Sequence, residues 1–260
     1  MKIGFFDSGL GGLTIFNKAI KNIQAEFVYF ADNKNNPYGI KAKEDVKKYV
    51  FDNIKTLVSL NCDIIVIACN TATSVAINEL REKYKNICII GTEPAVKVAV
   101  DGSKLKKNIL VSATTMTLNE EKLNNLIKDL EAEGIVQKVA LDKLVEFAES
   151  GNISSEEVKV YLKSRFKGYD LENFNYLVLG CTHFPLFINE IKEVLPKHIQ
   201  IVDGSDGVVK NICKSIDKNK IKIQNDEEIK VKLLLTEEDD NFIENFKRIS
   251  NINDIEVEII

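Results

Sequence analysis

The chain has no apolar run approaching the roughly 20 residues that span a bilayer. Its opening, Met-Lys-Ile-Gly-Phe-Phe-Asp, has neither the charged nor the long apolar region of a secretory leader. No membrane association is expected. Arginine is scarce, occurring only at Arg81, Arg165 and Arg248, so the planar fork that clamps phosphates is largely missing. With a net charge of −4 there is no electrostatic case for nucleic acid. Cysteine is limited to positions 62, 69, 88, 181 and 213, an odd count with no Cys-x-x-Cys pair. The two histidines cannot complete a Cys/His zinc cluster of usual spacing. A disulfide framework is thereby excluded and no metal site is expected. The simplest expectation is a cytoplasmic protein with reduced thiols.

What is present is ordinary in bulk: 260 residues, 45% hydrophobic and 28% charged, suited to one large or two small globular domains. Short apolar runs recur at Lys2–Phe6, Phe27–Phe30, Ile64–Ala68, Ile87–Ile90, Ile109–Val111, Val136–Leu141, Tyr176–Leu179 and Ile199–Val202. Each is bounded by polar or glycine clusters, as strands buried on both faces of a parallel sheet are. Helical spacing separates them: Val46, Tyr49, Val50, Ile54, Leu57 and Val58 repeat through 43–60, and 118–133 behaves similarly. This alternation predicts an α/β fold with mainly parallel sheets.

One plan occurs twice. Ile64-Ile-Val-Ile-Ala-Cys69-Asn-Thr71 and Tyr176-Leu-Val-Leu-Gly-Cys181-Thr-His183 both read as apolar strand, small residue, cysteine and polar helix opener, 112 positions apart. Chance recurrence and two similar lobes both account for the pattern. The second alternative puts one cysteine at the carboxyl end of a strand in each lobe, where open α/β sheets bind ligands.

Asp7-Ser8-Gly9-Leu10-Gly11-Gly12 follows the first strand. Its glycines permit a tight turn and close backbone approach to a ligand. It fits neither a dinucleotide fingerprint nor a Walker loop, because Thr14 stands at the third glycine and no Gly-Lys-Ser/Thr follows. Asn35-Asn36-Pro37-Tyr38-Gly39 reads as a turn. Cys62, Cys88 and Cys213 read as small hydrophobes. Cys69 and Cys181 differ because helix-initiating residues follow each, so the helix dipole favours the thiolate. That dipole supplies roughly 0.3–1 kcal/mol, less than the ~1.4 kcal/mol of one pKa unit, so a thiolate needs further help. His183, beside Cys181, is a suitable proton partner. His198, in a Pro-Lys-His connection, reads as exposed, and Glu149 reads by itself as a surface helix residue.

Asp-Ser-Gly-Leu-Gly-Gly at 7–12, Pro-Tyr-Gly at 37–39, Ala-Cys-Asn-Thr-Ala at 68–72 and Gly-Cys-Thr-His-Phe-Pro at 180–185 together strongly resemble glutamate racemase, over residues 1 to about 205. The resemblance implies a cofactor-independent enzyme of two similar doubly wound lobes with the active site in the cleft between them. It implies lobe A from 1–95 plus 208–260 and lobe B from 96–207. It makes Cys69 and Cys181 the two bases, with Asp7 supporting the first and His183 with Glu149 the second. Around the substrate it places Asp7, Ser8, Tyr38, Gly39, Asn70, Thr71, Thr114, Thr117, Thr182 and His183. The run Ser112-Ala-Thr114-Thr-Met-Thr117 departs from the family's usual Gly-Thr-x-Gly-Thr, and the segment before Glu149 lacks the usual proline. The implied role is supply of D-glutamate for peptidoglycan, with glutamate as the small-molecule partner. A homodimer is compatible with the sequence and not specified by it. An activator-binding N-terminal extension, which some members carry, is expected to be missing. The alternatives are an aspartate racemase of the same superfamily and a two-lobed binding protein without catalysis. Inverting an α-carbon needs a proton removed from one face and one returned on the other, which two opposed thiols provide.

Overall fold

In the computed structural model, residues 1–103, 108–219 and 230–260 are described. Among these residues ten strands run as β1 (Lys2–Asp7), β2 (Glu26–Ala31), β3 (Ile64–Ile67), β4 (Cys88–Gly91), β5 (Asn108–Ala113), β6 (Val136–Ala140), β7 (Phe174–Leu179), β8 (Gln200–Asp203), β9 (Val231–Leu235) and β10 (Glu256–Ile259). They form a six-stranded sheet in the order β10-β9-β2-β1-β3-β4 and a four-stranded sheet in the order β6-β5-β7-β8. Every pairing among them is parallel. The fold class is therefore the expected α/β, in two lobes. The run β2-β1-β3-β4 repeats as β6-β5-β7-β8, so the duplicated cysteine plan belongs to duplicated topology.

Helices cover both faces of each sheet, which is why the strands are apolar on both sides. On one face of the larger sheet, Ile3 and Phe5 of β1 pack with Leu13 and Phe16 of helix Leu13–Asn22, Ile212 of helix Ser205–Asn219, and Phe246 of helix Asp240–Ser250. On the other, Phe6 packs with Val46, Val50 and Ile54 of helix Lys43–Ser59 and Leu80 of helix Asn70–Lys83. The apolar residues of Lys43–Ser59 fall on one stripe, and Glu44 and Asp45 in its first turn suit the helix dipole. The smaller sheet splits likewise, with Leu110 and Leu177 facing one cluster and Ile109 and Val178 the other.

All eight strand readings correspond to strands, with ends shifted by a few residues. Two further strands, β9 and β10, escape the sequence reading, because lysines and glutamates interrupt or flank them. The helical pattern of 118–133 is divided into Thr115–Asn119 and Glu121–Asp129. Glu120 between them is extended (ψ 139°), and its carboxylate meets Lys43 Nζ at 2.8 Å.

The two sheets bring together their carboxyl ends. β1 has β2 on one side and β3 on the other, and β5 stands likewise between β6 and β7. These are the points where strand order reverses and where such sheets leave a crevice. Asp7 ends β1, Cys69 follows β3, Thr114 follows β5 and Cys181 follows β7.

Candidate active site

Cys69 is the N-cap of helix Asn70–Lys83. Its Sγ accepts from the Ala72 N–H at 3.4 Å and lies 3.8 Å from Ser8 Oγ. Asp7 is wholly buried beside it. Asp7 Oδ2 accepts from the Gly12 N–H at 2.7 Å, while Oδ1 is buried with no hydrogen-bond partner among the described residues. Burial raises the Asp7 pKa, with the His183 charge opposing it. Burial also raises the Cys69 thiol well above its ordinary value, and the Asp7 charge adds to that. The pull of the helix start toward a thiolate, expected to be insufficient by itself, is outweighed here: desolvation exceeds the effect of the Ala72 N–H.

Cys181 does not open an α-helix. Backbone bonds from Phe184 N–H to Cys181 O and from Leu186 N–H to His183 O, both 3.1 Å, wind the chain into a tighter turn at Phe184–Phe187. This draws Phe184 and Phe187 fully into the core. Helix Ile188–Val194 follows. Cys181 Sγ lies 3.6 Å from His183 Nδ1, and His183 Nε2 lies 2.5 Å from Glu149 Oε1. Burial would depress the His183 pKa, but the bonds to Cys181 and Glu149 prevail and hold it well above the usual imidazole value. Each ring nitrogen of His183 thus has its own partner, sulfur at one and carboxylate at the other.

Glu149, the last residue of helix Lys143–Glu149, is not a free surface residue. Its Oε1 also accepts from the Leu10 N–H at 2.8 Å. A Cβ on Gly9 would overlap the Glu149 carboxylate, and one on Gly11 would overlap the His183 ring. Gly9 and Gly11 therefore allow close approach of side chains that follow the strands of the other sheet. Thr14 Oγ1, 3.1 Å from Thr182 O, adds a second link. A third is a buried triangle of hydroxyls: Thr71 Oγ1 lies 3.1 Å from Thr114 Oγ1 and 3.2 Å from Thr117 Oγ1, which are 3.0 Å apart.

Asp7, Ser8 and Cys69 thus form one group, Cys181, His183 and Glu149 a second, and Thr71, Thr114 and Thr117 a third. The Tyr38 hydroxyl donates to Asp32 Oδ2 at 2.5 Å, and its side chain lies in the same buried cluster as Cys69. Gly39 lies against Thr114. Asn70 and Thr117 border a groove of about 600 Å³ that also reaches Lys43, Glu120 and Pro94. Neither thiol lines that groove, and each is only 6% exposed. Sequence reasoning missed Asp32, Leu10 and Thr14; only Asp32 carries a signal, as an acid at a strand end like Asp7. Cys62 is a core residue whose thiol burial pushes up to about 11, and His198 is exposed, as read. Among the described residues, no group of three or more His, Cys, Asp or Glu side chains is placed to hold a metal ion, and no helix is long and apolar enough to cross a membrane.

The family described as Asp/Glu/hydantoin racemase matches residues 14–212. A glutamate racemase of Campylobacter curvus is 45% identical over 224 residues, covering 84% of this chain and 84% of that protein. One of Clostridium acetobutylicum is 41% identical over 243 residues, covering 93% and 94%. The crystal structure of glutamate racemase from Francisella tularensis in complex with D-glutamate aligns with a TM-score of 0.88 at 25% identity, over 100% of this chain and 97% of that one.

Proposed function

Since the chain belongs to the Asp/Glu/hydantoin racemase family, we propose that it interconverts L- and D-glutamate with two thiols and no cofactor. One observation carries this reading. Cys69 and Cys181 occupy equivalent places in two sheets of the same strand order, and each has its own proton-handling neighbour. Binding alone has no need of two such thiols.

The resting charge pattern suits one direction of transfer. Burial and Asp7 keep Cys69 as a thiol, the form that gives a proton. The His183 imidazolium faces Cys181 sulfur at 3.6 Å, and a sulfur that accepts from a cation is poised to take one. Cys181 then removes the α-proton of L-glutamate while Cys69 protonates the opposite face. D-glutamate reacts in the reverse sense, starting from the enzyme form this leaves. Asp7 and His183 with Glu149 move protons to and from the thiols and do not act on the α-carbon. The threonine hydroxyls, now bonded to one another, are donors that a substrate carboxylate can recruit without arginine, together with N–H groups at the start of helix Asn70–Lys83. The substrate ammonium suits Asp7 Oδ1, which has no hydrogen-bond partner among the described residues. Because both thiols are enclosed, the lobes, taken as 1–95 plus 208–260 and 96–207, part to admit substrate and close to exclude water. Five free cysteines fit a cytoplasmic enzyme supplying D-glutamate for peptidoglycan.

Chiral chromatography after incubation with L-glutamate, and separately with L-aspartate, tests the substrate. In D₂O at early times, product should carry α-deuterium while recovered substrate stays protiated from either enantiomer. A single base would return original proton to product. Cys69→Ser and Cys181→Ser should each abolish racemisation; near wild-type turnover in either refutes the two-thiol mechanism.

A further inference from the structure

Asp32, just beyond β2, is a wholly buried carboxylate with four donor contacts. Tyr38 O–H donates to Oδ2 at 2.5 Å, Asn35 Nδ2 reaches Oδ1 at 2.9 Å and Oδ2 at 3.2 Å, and Thr236 Oγ1 donates to Oδ1 at 2.9 Å. Its own N–H bonds the Asp7 carbonyl at 3.0 Å. Thr236 follows β9, so one carboxylate fastens the C-terminal segment to the turn that carries Tyr38 and Gly39. Asn33 repeats the fastening: its Oδ1 accepts from the N–H groups of Thr236 at 3.1 Å and Glu237 at 3.2 Å, and its Nδ2 donates to Glu237 O at 2.8 Å.

The knot bears on the cleft through Gly39. A Cβ there would lie 2.8 Å from Thr114 Cβ, so the turn is wedged against the hydroxyl triangle. The Tyr38 ring cannot hold this position by packing alone at its polar end. Without an acceptor its buried hydroxyl would be left unsatisfied, and the ring and the following glycine would shift together.

We propose that Asp32 is a positioning residue for glutamate, holding the Tyr38–Gly39 turn at its seat on Thr114, and that Thr236 brings the C-terminal strands into the same task. This rests on the reading that the turn faces glutamate. The Asp32 carboxylate bonds neither thiol nor the side chain of any group given a proton-transfer role, and its link to Asp7 is a backbone bond that Asp32→Asn keeps, so its removal loosens binding of both enantiomers alike and leaves the chemical step in place. Loss of uniform binding raises KM at constant kcat.

The test uses the full chain with L- and D-glutamate, measuring kcat, KM and Tm for wild type, Asp32→Asn, Thr236→Val, Thr236→Ser, Tyr38→Phe and the Asp32→Asn/Tyr38→Phe pair. A buried bond to a charged group corresponds to roughly a 10- to 100-fold effect. Asp32→Asn should raise KM by about that factor for both enantiomers with kcat nearly unchanged. Thr236→Val should raise KM less, and Thr236→Ser, which keeps the hydroxyl, should restore it. In the Tyr38→Phe background, Asp32→Asn should add little. Unchanged KM in Asp32→Asn with only a lowered Tm overturns the proposal, as does loss of kcat alone. If Asp32→Asn fails to fold, an unaltered KM in Thr236→Val overturns it instead. Wild-type turnover in the same assay separates the failures: active wild type with unaffected variants refutes only the positioning role, whereas inactive wild type refutes the glutamate reading and this proposal with it.

Discussion

Glu149 and Leu10, 139 positions apart, are joined across the cleft by a 2.8 Å bond from the Leu10 N–H to Oε1, the oxygen that also receives the His183 Nε2 proton. The glycine loop after β1 and the imidazole beside Cys181 are thus held by one carboxylate. The link between the two halves and the partner of the His183 ring are therefore the same oxygen.

Glu149→Gln should separate them. The His183 pKa is raised above its ordinary value, with burial opposing and Cys181 and Glu149 prevailing. The stabilisation from a raised histidine is complete below the unfolded value of about 6.5 and is lost as pH rises through the folded one. Glutamine keeps the shape and removes the charge, so the folded value falls. The alkaline limb of kcat/KM should move toward neutral pH, and the His183 imidazole resonances should titrate earlier. With two histidines in the chain, these resonances are readily assigned. An unmoved limb and an unmoved titration together would show that Glu149 does not set the charge.

Gly11→Ala should damage catalysis more than stability. The new methyl overlaps the His183 ring, which must swing away from Cys181, and a displacement near 1 Å at a reacting group costs about 100-fold in rate. Gly134→Ala, whose methyl meets nothing within 4 Å, is the control and should match wild type in kcat and Tm. Equal behaviour of the two variants would show that the ring is not held by the glycine loop.

The threonine triangle predicts an ordered pair of effects. Thr114→Val removes a hydroxyl bonded to both Thr71 and Thr117, leaving those two with each other. The stability cost should be about 1 kcal/mol, visible as a small drop in Tm, while KM for glutamate rises by a larger factor through the lost donor. Thr115→Val is the comparison: Thr115 Oγ1 bonds Asp142 at 2.6 Å, outside the triangle, so its KM should hold. A fall in Tm at Thr114→Val with KM unchanged would leave the triangle a structural link only.

The inner strands are legible because burial on both faces forces continuous apolar runs such as Ile64-Ile-Val-Ile, while the edge strands β6 and β8 are only partly buried and keep shorter apolar segments. β10 escapes because all four of its residues are exposed and two are glutamates bonded to Lys232; nothing in its own pattern demands a sheet. Cys69 and Cys181 are legible from their strand-end positions. Their protonation is not, since burial and Asp7 reverse at Cys69 what the helix start favours locally. The links Leu10–Glu149, Thr14–Thr182 and Thr71–Thr114 depend on how two sheets face each other, and no local spacing records that. The family resemblance singled out Glu149, which its helix pattern would have left on the surface.

Asp7→Asn should trade activity against stability. Burial raises the Asp7 pKa, so the folded protein holds that proton more tightly than the unfolded chain does. Stability from this group is therefore greatest at low pH and falls as pH rises from the unfolded value through the folded one, leaving a buried charge at neutrality as a cost. Asparagine is uncharged and still offers an oxygen to the Gly12 N–H, replacing the 2.7 Å bond now made by Oδ2. Its amide nitrogen takes the place of Oδ1, which has no partner among the described residues, so one unsatisfied atom is exchanged for another. Tm at neutral pH should hold or rise, and its dependence on pH in the acid range should flatten. Racemisation should fall steeply in both directions, because the variant can neither shuttle a proton beside Cys69 nor face an ammonium with a carboxylate. A general acid–base contribution is typically about 10²–10⁴-fold in rate, and the loss in kcat should lie in that range. Calorimetry across pH alongside turnover at neutrality decides it: a variant that is both less stable at neutral pH and nearly as active as wild type would mean that Asp7 is kept for packing.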